Sequence, residues 1–167
     1  MVTRTELSRE EVLRILDSVK DPEVPVVSVV ELGIVRDVHV HEGVVRITVT
    51  PTYSGCPAMR ELEHDMRAAL EARGASEVAI ETVYAPAWTT DWIGAEAREK
   101  LRRFGIAPPG RAEQGGLIAL VRRRASVQCP YCGSRNTVLR SEFGSTACKA
   151  IHYCNACEQP FDEFKAI

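Results

Sequence analysis

Apolar and polar residues alternate along the first 107 positions in a pattern that predicts the element order α-β-β-α-β-α. The predicted helices span 8–19, the stretch from Pro57 to Gly74, and 91–104, and the predicted strands span 34–41, 44–51 and 78–84. This order indicates a mixed three-stranded sheet with helices packed on it. The sequence therefore predicts an α+β fold, a small layered α/β domain.

Local signals mark the ends of these elements. Ser8 and Glu11 form a capping box at the start of the first helix. Glu42-Gly43 is a hairpin turn, and Pro57 is expected at the first position of the second helix. On the last helix, one buried face is predicted from Ile93, Ala97, Leu101 and Phe104. The hydrophobic pattern thus indicates both the elements and the side of each that faces the core.

The remaining residues predict a second, smaller module. Pro108-Pro109-Gly110 begins a linker that runs to Gly115-Gly116, and an apolar strand is predicted at Leu117–Val121. The predicted organisation is a first domain at 1–107, a linker at 108–116 and a β-type metal module at 117–167. Because the last module is too small for a self-sufficient core, bound metal is expected to supply much of its folding free energy.

Four cysteines in that module form two C-x-x-C pairs separated by 21 residues: Cys129, Cys132, Cys154 and Cys157. Two such turns can close a tetrahedral thiolate shell, which favours a structural Zn²⁺ site. Iron stays open as the metal, since a rubredoxin-type site uses similar paired turns. Disulfides or redox dithiols are the other interpretation, and they need an oxidising compartment or a thioredoxin-like context. Cys148 lies outside the two pairs, and three roles stay open for it: a spare ligand, a reactive thiol or a filler.

Composition and charge indicate the cellular compartment of the protein but no specific partner. The net charge is −2, with −5 on residues 1–107 and +3 on the rest. A solvated strand end is favoured over a nucleic-acid footprint for the basic run Arg122-Arg123-Arg124. No apolar stretch reaches the length of a membrane span, and residues 1–19 lack a signal-peptide core. We therefore expect a reducing cytoplasm, where six cysteines indicate metal and thiol chemistry.

Cys56 is the candidate functional thiol of the first domain. It lies between a predicted strand and a predicted helix, and Gly55 before it allows a sharp turn. With Pro57 at the first helical position, Cys56 falls at or beside the N-cap, where free N–H groups are expected to lower its pKa. Such a thiol suits a nucleophile, a thiol carrier or a single metal ligand; the alternative is a small buried filler.

Several segments together resemble a known family. Two segments resemble the iron–sulfur-assembly domain of SufT and MIP-type proteins. They are Asp21-Pro22-Glu23-Val24-Pro25 and the segment from Thr50 through Thr52, Gly55, Cys56 and Pro57 to Ala58. Four further segments narrow the resemblance to the PaaD (also called PaaJ) family: Ala87–Ile93, Gly105–Gly110, Phe143–Lys149 and Pro160-Phe161-Asp162. That family consists of accessory proteins of the bacterial phenylacetyl-CoA epoxidase system.

The resemblance implies a non-catalytic accessory role in aerobic phenylacetate breakdown, assisting iron–sulfur cluster assembly of the reductase. It implies Cys56 as the residue that contacts a transient cluster, and Asp21, Glu23, Thr52, Gly55 and Pro57 as its supporting motif. The expected partners are the reductase, the oxygenase subunits or both, with no membrane, and a homodimer stays open. The alternatives are a structural subunit of the oxygenase complex, a thiol enzyme using Cys56, or a zinc-ribbon nucleic-acid binder.

Overall fold

The structure, a computed structural model, describes residues 7–110 and 126–166. The chain divides into two compact units, Met1–Trp88 and Thr89–Ile167. Three α-helices and two mixed sheets make up the described part, which confirms the predicted α+β class. Among the helices described, none is both long and apolar enough to cross a lipid bilayer.

The first unit contains a three-stranded sheet and two helices. Its elements are α1 (Arg9–Leu16), β1 (Val35–His41), β2 (Val44–Val49), α2 (Met59–Glu71) and β3 (Glu77–Thr82). Strand β2 is central: it pairs antiparallel with β1 and parallel with β3, so α2 is the crossover between two parallel strands. The predicted mixed sheet is confirmed.

The capping box and the hairpin turn that were predicted from the sequence are both present in this unit. The Ser8 N–H donates to Glu11 Oε2 at 2.8 Å, and the Glu11 N–H donates to Ser8 Oγ at 3.2 Å, which completes the capping box of α1. In the hairpin turn, Glu42 and Gly43 have φ values of 50° and 79°. Positive φ at both central residues is typical of the turns that match the twist of paired strands.

Two local predictions were wrong. Helix α2 begins at Met59, not at Pro57. The Met59 N–H donates to the Cys56 carbonyl at 3.3 Å, so Pro57 lies in a separate turn before the helix. Phe104 was predicted on the buried face of the last helix, but its side chain is 52% exposed because the helix ends at Arg103 and Gly105 then turns the chain at a φ of 88°.

The second unit contains a four-stranded sheet and one α-helix. A 3₁₀ turn (Thr90–Trp92) precedes α3 (Ala95–Arg103), β4 (Ile106–Ala107), β5 (Thr137–Ser141), β6 (Lys149–Cys154) and β7 (Pro160–Phe164). The sheet order is β4-β7-β6-β5, with β4 parallel to β7 and the other pairs antiparallel. Its core is small and includes two of the cysteines: Ala107, Cys129, Cys154 and Phe161.

The unit boundary at residue 88 differs from the predicted boundary at 107. Strand β4 pairs with β7, which lies more than fifty residues later in the chain, so residues 89–107 belong to the second unit. The predicted strand at Leu117–Val121, the Arg122-Arg123-Arg124 run and the linker beyond residue 110 lie outside the described residues.

Candidate metal centre and candidate thiol site

Two turns of the same kind place the four predicted ligands. In the first turn, the Gly133 N–H donates to the Cys129 carbonyl at 3.0 Å and the Cys129 N–H donates to the Ser134 carbonyl at 2.9 Å. In the second, the Glu158 N–H donates to the Cys154 carbonyl and the Cys154 N–H donates to the Gln159 carbonyl, both at 2.9 Å. The same hydrogen bonds at the same spacing aim each pair of sulfurs at a common point.

A left-handed residue follows each C-x-x-C pair, because the chain must turn sharply around the site. Gly133 adopts a φ of 75° after the first pair, and Glu158 adopts a φ of 59° after the second. Glycine takes this conformation at no steric cost, whereas an L-residue is strained there. The second turn is thus formed without the glycine that the first one uses.

The four sulfurs have the spacing that a tetrahedral metal needs. Cys129 Sγ lies 3.7 Å from Cys157 Sγ, Cys132 Sγ lies 3.6 Å from Cys154 Sγ, and all four sulfurs lie within 4.8 Å of one another. A tetrahedral zinc ion with Zn–S distances of about 2.3 Å requires sulfurs about 3.8 Å apart. A closed set of four thiolates fits a structural Zn²⁺, and these residues would hold it with no open position for chemistry.

Thiol ionisation explains why a cation is needed there. The backbone N–H groups of Cys157 and Ala156 lower the pKa of Cys154 to about 7. Partial burial and the neighbouring thiols raise the pKa of Cys157 to about 12. The first thiolate therefore forms readily, and its negative charge opposes ionisation of the next thiol. A bound metal ion supplies the positive charge that all four thiolates share.

Cys148 does not belong to this set. It is buried, and its Sγ lies 3.0 Å from the Thr146 hydroxyl. Among the described residues, the only group of cysteines, histidines and carboxylates spaced for a metal ion is the tetrathiolate. Of the three options for Cys148, the structure favours a packed filler.

A buried polar pair in the ribbon had no signal in the sequence. His152 in β6 is 4% exposed, stacks on Phe161 with ring centroids 5.5 Å apart, and has its Nε2 atom 2.7 Å from Glu163 Oε2 in β7. Its Nδ1 atom is buried and has no hydrogen-bond partner. A lone histidine and a lone glutamate on separate strands cannot be paired from sequence, because the pairing depends on strand register.

In the first unit, Cys56 lies in a turn between β2 and α2 and is partly buried. Gly55 has a φ of 142°, and a Cβ atom added there would meet no atom within 4 Å. An L-residue at position 55 would therefore be strained in its backbone but would not clash with another segment of the chain. Because α2 begins three residues later, the helix N-terminus is not at Cys56 as predicted.

The predicted low pKa of Cys56 was also wrong in direction. Burial raises the pKa of the thiol, and the carboxylates of Asp21 and Glu23 raise it further by repelling the thiolate. Hydrogen bonds from the Ala58 N–H and the Thr52 side chain oppose this increase, but the pKa remains above its usual value. At neutral pH the free thiol is protonated, which does not suit a thiol enzyme.

The fold thus brings residues that the sequence keeps apart into electrostatic range of one another. The loop that carries Asp21 and Glu23 and the turn that carries Cys56 are more than thirty residues apart, yet the carboxylates act on the thiol. Thr50 was not predicted as part of the site. It follows β2, is 1% exposed, and its buried hydroxyl has no hydrogen-bond partner.

Comparisons with known protein families match two separate parts of the chain. Residues 9–82 match the iron–sulfur cluster assembly protein family, and residues 114–165 match the PaaD zinc beta ribbon domain. Two solved structures share the first fold: a domain of unknown function, DUF59, of Bacillus anthracis and a conserved hypothetical protein of Thermotoga maritima. Their TM-scores are 0.52 and 0.51 at 29% and 31% identity, covering 56% and 57% of this chain and 90% and 95% of theirs.

The fold and the two sulfur sites define a class of protein in which an iron–sulfur-assembly domain is joined to a zinc ribbon. A protein of Escherichia coli (strain K12), provisionally named as one of the subunits of 1,2-phenylacetyl-CoA epoxidase, is 46% identical over 94% of this chain and 92% of its own length. The chain belongs to the same family, PaaD.

The first unit also has relatives without the ribbon. Proteins named Fe-S protein maturation auxiliary factor from Porphyromonas gingivalis (strain ATCC BAA-308 / W83) and Bacillus subtilis (strain 168) are 35% and 33% identical. Each match covers 56% of this chain and 90% or 92% of the relative. The assembly domain therefore occurs alone as well as joined to a ribbon.

Proposed function

We propose that this protein is a non-catalytic maturation factor of the phenylacetyl-CoA epoxidase system. It assists assembly of the iron–sulfur cluster of the reductase component, with Cys56 as the thiol that contacts the cluster. The tetrathiolate is a permanent zinc site that holds the ribbon together. Two relatives of the first unit carry names that refer to Fe-S protein maturation, and one relative of the whole chain is named as part of the epoxidase, which supports both parts of the proposal.

One observation carries the proposal: a partly buried thiol lies in a turn, and the charges of two carboxylates from another segment help to raise its pKa. Negative charge beside a thiol disfavours the bare thiolate but favours a bound cation. The site is thus suited to remain protonated until iron arrives. A nucleophile would need the reverse, a positive neighbour or a base.

The site's own residues perform three tasks in this account. Asp21 and Glu23 attract the iron of the incoming cluster and offset its charge. Cys56 Sγ loses its proton to the solvent as the iron approaches, since the cation replaces the proton as the partner of the sulfur. The Thr52 side chain and the Ala58 N–H then stabilise the thiolate by hydrogen bonding. Because the pKa of the free thiol is raised, release of the cluster and reprotonation are also favoured.

The chemistry of the two sulfur sites also indicates the cellular compartment and the partner. A thiol that must stay reduced, and a four-thiolate zinc site, both need a reducing compartment, so we place the protein in the cytoplasm. Its partner is the reductase of the epoxidase system. Contact with the oxygenase subunits would deliver the matured reductase to them.

The test is the iron and sulfide content of the reductase from cells grown with phenylacetate and carrying Cys56→Ala. We expect an under-loaded reductase and loss of growth on phenylacetate. Cys148→Ala is the matched control, since it removes another metal-free cysteine and should leave the reductase loaded. A fully loaded reductase in the Cys56→Ala cells would reject the maturation role.

A second function, a stoichiometric structural component of the oxygenase, is favoured by the name of the Escherichia coli relative, which places that protein among the epoxidase subunits. It predicts that the protein co-purifies with the oxygenase in fixed ratio and that Cys56→Ala leaves both the complex and the reductase intact. Co-purification from cells that carry Cys56→Ala separates the two functions.

A further inference from the structure

A segment between the two family matches reaches the metal module. Residues 83–113 lie outside both the match at 9–82 and the match at 114–165. They include α3 and β4, residues 95–107, which we call the α3–β4 segment. Strand β4 pairs in parallel with β7 at one edge of the ribbon sheet. The fold therefore adds a strand to the ribbon from a part of the chain that neither match covers.

Ala107 of β4 belongs to the buried cluster that contains two of the metal ligands. It is 1% exposed and packs in one cluster with Cys129, Cys154 and Phe161, which are also buried. Cys129 comes from the first C-x-x-C turn and Cys154 from the second, so this cluster includes one ligand from each turn. Because protein interiors are close-packed, a larger side chain at position 107 would displace its neighbours in the cluster.

Gly105 lies against the first C-x-x-C turn. A Cβ atom added at Gly105 would be 2.6 Å from the hydroxyl oxygen of Tyr131 and 3.0 Å from its Cε1 atom. Tyr131 is one of the two residues between Cys129 and Cys132. The left-handed backbone at Gly105 and the close approach of the Tyr131 ring both favour glycine at this position.

The side chain of Arg98 in α3 fixes the chain before the helix and after β4. Arg98 Nη2 donates to the Thr90 carbonyl at 2.7 Å, and Arg98 Nε donates to the Ile93 carbonyl at 3.1 Å. Arg98 Nη1 donates to the Pro109 carbonyl, two residues after β4, at 2.5 Å. Hydrogen bonds from a charged group are among the stronger ones in proteins, so β4 is held in place on both sides.

We propose that the α3–β4 segment forms one wall of the metal centre, with Gly105 and Ala107 as the residues that position the two C-x-x-C turns. Gly105 leaves room for the Tyr131 ring of the first turn, and Ala107 fits the cluster that holds one cysteine of each turn. Residues that support the ligands of a metal ion affect how tightly the metal is held. The inference concerns the metal centre alone and does not depend on the role proposed for Cys56.

The decisive experiment compares Ala107→Leu with Ala97→Leu in the full zinc-loaded protein. Both alanines are buried in the second unit, but Ala97 is not among the described residues of the cysteine cluster. Transfer of zinc to a chromogenic chelator is followed over time. Ala107→Leu should release zinc about tenfold faster than the wild type, because the added carbons overpack against two ligands. Ala97→Leu should release zinc at the wild-type rate.

Cobalt(II) in place of zinc reports the geometry of the four thiolates, which a loss of overall stability does not change. The d–d absorption bands of cobalt-loaded Ala107→Leu should shift, and those of Ala97→Leu should match the wild type. A folded Ala107→Leu protein with wild-type zinc release and wild-type bands would overturn the inference. Equal changes in Ala97→Leu would overturn it as well.

If Ala107→Leu does not fold, Gly105→Ala decides. The added Cβ atom displaces the Tyr131 ring, so zinc release should be about threefold faster than in the wild type. In a Tyr131→Ala background there is no ring to displace, and Gly105→Ala should then leave the release rate unchanged. An unchanged rate in the single variant would overturn the inference. An equal increase in both backgrounds would do so too, since it would assign the effect to backbone strain at position 105.

Discussion

The two sulfur sites of this chain use cysteine in opposite ways. In the ribbon, backbone N–H groups lower the pKa of Cys154, and four sulfurs gather within 4.8 Å of one another. In the first unit, burial and two carboxylates raise the pKa of Cys56. The first environment is a closed shell prepared for a permanent cation; the second keeps its proton. If Cys56 contacts a cluster as we propose, the surroundings of each cysteine decide whether its metal stays.

The largest effect should follow from breaking the closed shell. Cys154→Ala removes one of four thiolates, and structural zinc supplies about 10–16 kcal/mol of apparent binding free energy in small domains. We expect residues from about 127 onward to lose protection from amide hydrogen exchange, whereas the sheet of the first unit keeps it. Retention of one zinc equivalent in Cys154→Ala would contradict the assignment of the site.

A smaller loss is expected from the buried pair in the ribbon. Glu163→Ala leaves both ring nitrogens of His152 without a partner, which should cost about 1–3 kcal/mol in the zinc-loaded protein. Glu163→Gln keeps an acceptor and should recover most of this loss. Denaturant unfolding with zinc analysis is the measurement; loss of zinc in Glu163→Ala would show that the pair supports the metal site and not only the sheet.

The two turns of the metal site offer an internal comparison. Gly133→Ala places a side chain at a φ of 75° and should cost about 1 kcal/mol. Glu158→Gly relieves strain at a φ of 59° but adds freedom to the unfolded chain, so it should change the free energy of unfolding by less than about 0.5 kcal/mol. Thermal unfolding of both variants with zinc bound checks the ranking, and the reverse order would contradict it.

The smallest effect concerns the charge beside Cys56. Glu23→Gln removes one repelling carboxylate, so the pKa of Cys56 should fall towards that of a free thiol, about 8.5. A raised pKa means that the protonated thiol prevails in the folded protein as pH rises past the free-thiol value. Alkylation of the wild type should therefore begin at higher pH than in Glu23→Gln, and identical pH profiles would exclude the carboxylate contribution.

Most local signals were predicted correctly from the sequence, apart from the start of α2 and the burial of Phe104, whereas contacts between distant segments were not predicted. The geometry of the Ser8 capping box and of each C-x-x-C turn depends only on residues a few positions apart in the chain. The electrostatic effect of Asp21 on Cys56 depends on the relative placement of two distant loops, and the pairing of β4 with β7 depends on register across a long gap. The pKa of Cys56 was predicted in the wrong direction for this reason: burial raises the pKa of the thiol, carboxylates from another segment raise it further, and its helix begins later than expected.

The most direct measurement is iron binding by the zinc-loaded protein under anaerobic, reducing conditions with iron and sulfide supplied. We expect iron in addition to one retained zinc in the wild type, removal of that iron but not of zinc by a mild chelator, and no added iron in Cys56→Ala. Cys148→Ala should bind iron as the wild type does. Equal iron binding in Cys56→Ala, or iron that enters only by displacing zinc, would contradict the division into one permanent and one exchangeable site.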